Sequence, residues 1–266
     1  GLIAGTYLNW LIVAKPLRKC TVAFGDSITI PEFLTNRFKD KSRILSAISV
    51  ILIVFFFTIY TASGFVACAK LFNSVFGLDY HVGLIIGLVV ILAYTILGGY
   101  LAVCATDFIQ GSLMFVALII TGVIMLITLG GPTEAFAKVS EFGTRAMSGE
   151  FGDAMKEKFL ANQNYGVMSI ISALVWGLGY FGMPHILVRF MSIKSIKLLP
   201  RTITIAMIWV VISLMAAVAV GLIARPLFTD LPKGDSEKVF IFMINNFCWS
   251  WFAGLFLAAI LAAIMS

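Results

Sequence analysis

The sequence predicts an all-α polytopic membrane protein with about seven transmembrane helices. Three observations carry this prediction. Hydrophobic residues make up 61% of the 266-residue chain and charged residues 12%, about half the ~25% usual in soluble domains. The apolar residues gather into continuous runs near the ~20 residues a helix needs to cross the hydrocarbon layer. The charges are shut out of those runs and divide unequally among the segments between them. Such composition excludes a soluble globular enzyme and a disordered tail. The length and continuity of the runs exclude a β-barrel, whose strands are short and alternating.

Five runs are long enough to span: Ile44–Cys68, Val82–Val103, Phe108–Leu129, Val167–Val188 and Thr202–Ala224. Two more, Gly1–Ala14 and Trp249–Ser266, are cut by the ends of the chain. In chain order these are spans one to seven. Because it opens on Gly1 and both ends fall inside apolar runs, the chain is expected to be an interior piece of a longer protein. The segment 130–166 between spans four and five starts with Gly and Pro, carries acids, and predicts a helix lying on the outer face. Val239, Phe240, Phe242, Met243 and Phe247 make 236–248 a second amphipathic segment.

Orientation follows from the bases. Eleven of the 19 Lys and Arg lie in two segments: Lys15, Arg18, Lys19, Arg37, Lys39, Lys41 and Arg43 within 15–43, and Arg189, Lys194, Lys197 and Arg201 within 189–201. Those segments hold three acids, Asp26, Glu32 and Asp40. Basic excess marks the cytoplasmic side, and strict alternation from span to span agrees with it. The net charge of +6 is therefore a topology signal. It calls for a lipid bilayer as the partner, with no nucleic acid. Cys20, Cys68, Cys104 and Cys248 show neither a zinc nor a C-x-x-C spacing and are expected to be free.

Asp107 is the one acid in neither group of loops. It stands in the junction Cys104-Ala-Thr-Asp107, where two readings apply: a helix cap, with Gln110 three residues on, or a functional acid at the inner mouth of a transport path. Span five holds the clearest interruption. Pro184 follows Gly177, Gly179 and Gly182 in Trp176-Gly-Leu-Gly-Tyr-Phe-Gly-Met-Pro-His185. Proline removes a backbone donor and clashes with the preceding turn. An unwound segment at membrane depth is tolerated only where it is buried or lines a cavity, and discontinuous helices form substrate and ion sites in secondary transporters. Trp176 and Tyr180, four apart, would share one helical face and wall an apolar pocket. The alternative is a proline kink with ordinary aromatic packing. In span seven Gly254, Ala258, Ala262 and Ser266 recur every four residues, a stripe that admits either close helix packing or oxygen ligands to a small hard cation. Tyr60, Thr61 and Ser63 place polar atoms in span two, where helix-interface hydrogen bonds are the plainer use. His185 is expected to hydrogen-bond locally.

The stretches Pro31–Leu45, Phe57–Gly64, Gly98–Val103, Thr106-Asp107, Trp176–Phe190 and Leu261–Ser266 resemble the sodium:solute symporters. The resemblance covers essentially the whole chain and is most specific in span five. It implies a leucine-transporter-like inverted-repeat fold, in which two five-helix repeats rock to give alternating access. This chain would hold the last four helices of the first repeat and the first three of the second. By resemblance, Trp176, Tyr180 and Pro184 line the substrate site and Tyr60 is functionally important. Asp107 lies on the sodium route, and Ala263 and Ser266 belong to the sodium site. The family's first broken helix and the polar residue after Ser266 are absent, so the sodium site is incomplete here. The resemblance implies Na⁺-coupled import across a bacterial plasma membrane, without bond-breaking chemistry. An aromatic wall beside unwound backbone suits a small zwitterion with an apolar ring or chain, and L-proline fits. Another small solute, or a symporter-like sensor domain of a signalling protein, stands as the alternative.

Overall fold

In a computed structural model of the chain, which describes residues 1–151, 153, 166–227 and 238–265, every regular element is helical. The described residues fall into two units, one of residues 1–60 with 166–211, the other of the remainder.

The first unit opens with α1 (Leu2–Asn9), which passes through a π-helical turn, Trp10–Ala14, into α2 (Lys15–Ala23). Helix therefore continues beyond the expected end of span one at Ala14. Pro16 explains the wide turn: its ring cannot sit under an α-helical carbonyl four residues back, and a π turn relieves that clash. The basic segment 15–43 also contains α3 (Ile30–Phe38). Thr29 caps α3 by accepting from the Glu32 N–H at 3.4 Å, and Lys39 closes it in the left-handed region at φ 53°. Next comes α4 (Ile44–Phe76), whose residues to Tyr60 belong to this unit.

Later in the chain, α7 (Val167–Val175) runs into a 3₁₀ turn at Trp176–Phe181. The chain then bends by 44° into α8 (Pro184–Met191). A short 3₁₀ turn, Ile196–Leu198, leads to α9 (Leu199–Ala224). Five prolines stand in the first turns of helices: Pro16 in α2, Pro31 in α3, Pro132 in the helix α6 (Pro132–Ser148), Pro184 in α8 and Pro200 in α9. Where a helix begins, a first-turn N–H has no intrahelical acceptor, so proline loses nothing there; Pro16, which follows the π turn directly, is instead relieved by that turn.

Within this unit α1 runs beside α7 in the same direction. Gly1 meets Ala173 and Leu174, Gly5 meets Gly177, and Asn9 reaches Tyr180. Charge alternation predicts that spans one and five run in the same direction, and the two helices lie in parallel. At the basic end Ala14, Phe190 and Leu199 are buried together, with the Trp10 ring 4.5 Å from that of Phe190.

In the second unit α5 (Tyr80–Thr128) is one helix of 49 residues, ~74 Å if straight and more than twice the ~30 Å hydrocarbon layer. It contains spans three and four. Its break falls at Gly99, not at the junction 104–107 expected from the sequence. Gly99 has φ 58° and ψ −163°, a region open essentially to glycine alone. Polar residues mark where a chain reaches water, whereas the bend needs a residue without Cβ. Glycines also let α4 and α5 meet: a Cβ on Gly87 would lie 2.5 Å from Cys68 Sγ.

The outer segment holds α6 (Pro132–Ser148), closed by Gly149 at φ 90°. The amphipathic segment holds α10 (Val239–Phe247), and α11 (Ser250–Met265) follows. Met125, Leu129, Ala135, Val220, Ile223 and Met243 form one core cluster. Ala117, Ile244, Phe256 and Ala259 form another, joining α5, α10 and α11. The packing face of α11 is therefore Phe256, Ala259 and Ala262, while Gly254 and Ala258 of the expected stripe are exposed.

Among the described residues three helices are long and apolar enough to cross a membrane, and the bent pair α7–α8 adds a fourth. Large apolar side chains such as Ile51, Phe55 and Phe56 lie uncovered on α4. In water so wide an apolar face would associate, and in lipid it is the outer surface. The four cysteines are free.

Candidate functional site

The break in span five positions the candidate solute residues. The residue before a proline is driven from the α region, and Met183 is extended at φ −73°, ψ 113°. Pro184 then starts α8. Upstream, Gly177, Gly179 and Gly182 weaken the α-helix, and Trp176–Phe181 tightens to 3₁₀. The interruption thus includes both aromatics instead of following them. In a 3₁₀ turn residues four apart are ~120° apart, so the one-face argument for Trp176 and Tyr180 does not hold. Both still border a single pocket of about 490 Å³, lined by Ser172, Val175, Trp176, Leu178, Gly179, Tyr180 and Met183. A Cβ on Gly179 would meet nothing within 4 Å, so the glycine leaves open space in the lining. The volume falls in the range of small-molecule sites, ~300–1,000 Å³. Trp176 is 72% exposed, so its indole is free to pack on a guest.

Tyr60 does not line this pocket. Its ring stacks on His185, with centroids 5.8 Å apart and planes 20° apart, and Phe57 meets the same imidazole edge-on at 5.5 Å. His185 Nδ1 is buried and has no hydrogen-bond partner among the described residues, contrary to the expected local bond. Tyr60 therefore braces the start of α8 through an aromatic stack. Pro184 acts on the pocket through the backbone, since Met183, which it forces out of the helix, is a lining residue.

Sequence reasoning passed over Asn9. Its side chain is 1% exposed, and Nδ2 donates to the Tyr180 carbonyl at 2.8 Å. The signal was available: a carboxamide inside an apolar run is costly unless bonded. What the sequence lacks is the identity of the partner, 171 residues away.

Asp107 and Ala263 lie in the second unit. Asp107 is half-buried inside α5, eight residues beyond the Gly99 break, so it is not a helix cap. Thr106 likewise points back along the helix, its hydroxyl donating to the carbonyls of Ala102 (3.0 Å) and Val103 (2.9 Å). Gln110, one turn on, has a buried Oε1 with no partner among the described residues. Ala263 is half-buried on α11, which packs on α5, and Ser266 lies outside the described residues. Among the described residues no three His, Cys, Asp or Glu side chains come together. A hard cation held here would depend on carbonyl and hydroxyl oxygens.

Comparison with known proteins bears on these residues. The model of the sodium:solute symporter family matches residues 1–266. The sodium/proline symporter 2 of Staphylococcus saprophyticus subsp. saprophyticus is 44% identical over 268 residues, covering 100% of this chain and 50% of that protein. The sodium/proline symporter of Staphylococcus aureus is 45% identical over 271 residues, again covering 100% of the chain and 50% of the relative. The chain spans about half the length of the curated relatives it matches. No solved structure matches it.

Proposed function

The chain belongs to the sodium:solute symporter family, and from that premise we propose that it forms part of a secondary transporter that couples sodium entry to import of L-proline. The single observation that carries the solute reading is the pocket at the break in span five. Trp176 and Tyr180 offer aromatic faces for a pyrrolidine ring, and discontinuous helices of this kind form substrate sites in secondary transporters. Names of relatives 44% and 45% identical support proline as that solute.

Asp107, Ala263 and Ser266 are the proposed sodium residues, Asp107 on the route and the other two at the site. Sodium and solute each bias one state of an alternating-access cycle. A ligand with equal affinity for both states shifts nothing, so the ordering of the broken helix by sodium is the coupling step. Membrane potential contributes about 2.3 kcal/mol per charge per 100 mV. No covalent bond changes, so the activity is transport and not catalysis. The proposed setting is a bacterial plasma membrane, with segments 15–43 and 189–201 cytoplasmic. The parallel pairing of α1 with α7 agrees with both segments lying on one side of the membrane, and the basic excess makes that side the cytoplasm.

The test is uptake of labelled L-proline by the full-length protein in proteoliposomes, with and without an inward sodium gradient. Gradient-driven uptake is expected. Failure by folded protein, followed by gradient-driven uptake of another member of a solute panel, would replace proline with that solute. In the same assay Asp107→Asn should weaken the sodium dependence of uptake while leaving the amount of protein in the membrane unchanged. Normal sodium activation would remove Asp107 from the route.

A further inference from the structure

The break at Pro184 has a consequence four residues upstream. In an α-helix the carbonyl of residue 180 accepts from the N–H of residue 184. That bond cannot form here, because Tyr180 sits in the 3₁₀ turn, Met183 is extended and Pro184 opens α8, so the Tyr180 carbonyl belongs to the orphan carbonyls at the end of the interrupted helix. A carbonyl left bare at membrane depth is costly. Here it is not bare: Asn9 Nδ2 donates to it at 2.8 Å. The donor comes from another helix, 171 residues away in the chain.

The rest of the contact is arranged around this bond. Gly1, Gly5 and Asn9 form one row on span one, four residues apart. A Cβ on Gly5 would overlap the Gly177 backbone, and one on Gly177 would lie 2.5 Å from the Gly1 carbonyl oxygen. Only glycines let the two backbones approach so closely, and that approach brings a short carboxamide within reach of Tyr180. Asn9 Oδ1 is buried and has no partner among the described residues. The amide is thus kept for its donor alone, at the cost of an idle acceptor.

We infer that Asn9 is a positioning residue of the solute pocket: its carboxamide supplies the donor that the interrupted helix does not, and fixes the Tyr180 backbone, and with it the wall that Tyr180 and Trp176 present. The inference rests on the solute reading for its functional half only. Its structural half, a tether across the break, stands independently.

Two readouts in the full-length protein separate these halves. In hydrogen-exchange mass spectrometry Asn9→Leu, which keeps the bulk and drops the donor, should speed exchange across 177–190 about tenfold, with α9 unchanged. In proteoliposomes the same variant should raise the half-saturating proline concentration about tenfold, with a smaller change in maximal rate. Either readout at its wild-type value would overturn the inference. If Asn9→Leu does not accumulate, Asn9→Asp takes its place, because only the protonated carboxyl can donate to Tyr180. Its half-saturating concentration should then rise with pH relative to wild type, and a parallel profile would overturn the inference. If folded wild-type protein takes up no proline, the solute reading fails instead, and exchange across 177–190 alone decides the role of Asn9.

Discussion

Replacing Gly5 with alanine would place a Cβ 2.5 Å from both the Cα and the carbonyl carbon of Gly177, where ordinary contact begins near 3.4 Å. Those atoms are backbone, with no rotamer to swing aside, so α1 must retreat by roughly 1 Å. A rigid shift of that size stretches the 2.8 Å bond from Asn9 to Tyr180 to about 3.8 Å, past hydrogen-bond range. Overpacking costs ~1–3 kcal/mol, and the lost bond adds ~1 kcal/mol. The sum, ~2–4 kcal/mol, is about 30- to 1,000-fold in the folding equilibrium. The assay is chemical unfolding of the full-length protein in detergent micelles. Gly221→Ala is the control of opposite sign. It lies inside α9 with nothing within 4 Å of its Cβ position, and should gain up to ~1 kcal/mol from helix propensity. Equal stability of Gly5→Ala and wild type would refute the backbone-to-backbone packing of α1 on the broken helix.

Three further outcomes are expected. Gly99→Ala meets no steric obstacle but forces a Cβ into a backbone region closed to it. It should cost ~1–3 kcal/mol in the same unfolding assay, and a neutral result would mean that α5 does not bend there. Trp176→Ala removes an exposed ring from the pocket and should raise the half-saturating solute concentration about tenfold, with unchanged uptake kinetics assigning Trp176 to packing. Asp40 accepts from the Ser42 hydroxyl and the Leu45 N–H at the start of α4, which holds its carboxyl below the usual carboxylate range. A depressed folded-state pKa gives stability that is present above the unfolded value and lost as pH falls through the folded one. Protection of the first-turn amides of α4, taken relative to their intrinsic exchange rates at each pH, should therefore fall in acid below the usual carboxylate range, and Asp40→Ala should abolish that step.

Much of the architecture is local and so was legible in one dimension. Hydrocarbon tolerates only long apolar helices, so an all-helical chain with long apolar segments follows from composition and order. Pro184 and its three glycines announced an interruption in span five, because proline and glycine act on their own backbone. The pocket residues Trp176 and Tyr180 were found through that interruption and through resemblance, although the periodicity used to pair them was that of a helix the segment does not form.

What the chain's order could not supply were relations between distant segments. Asp107 looked like a cap because its neighbours are polar, yet the bend sits at Gly99. Of the small stripe in span seven Ala262 is buried, and its neighbour Ala259 packs beside Phe256, yet Gly254 and Ala258 are exposed. Asn9 drew no notice because its significance depends on a carbonyl 171 residues away. A helix break that leaves a carbonyl without its donor is written in the sequence at Pro184 and its glycines. Which side chain supplies that donor depends on which helix comes within 3 Å, and only tertiary packing decides that.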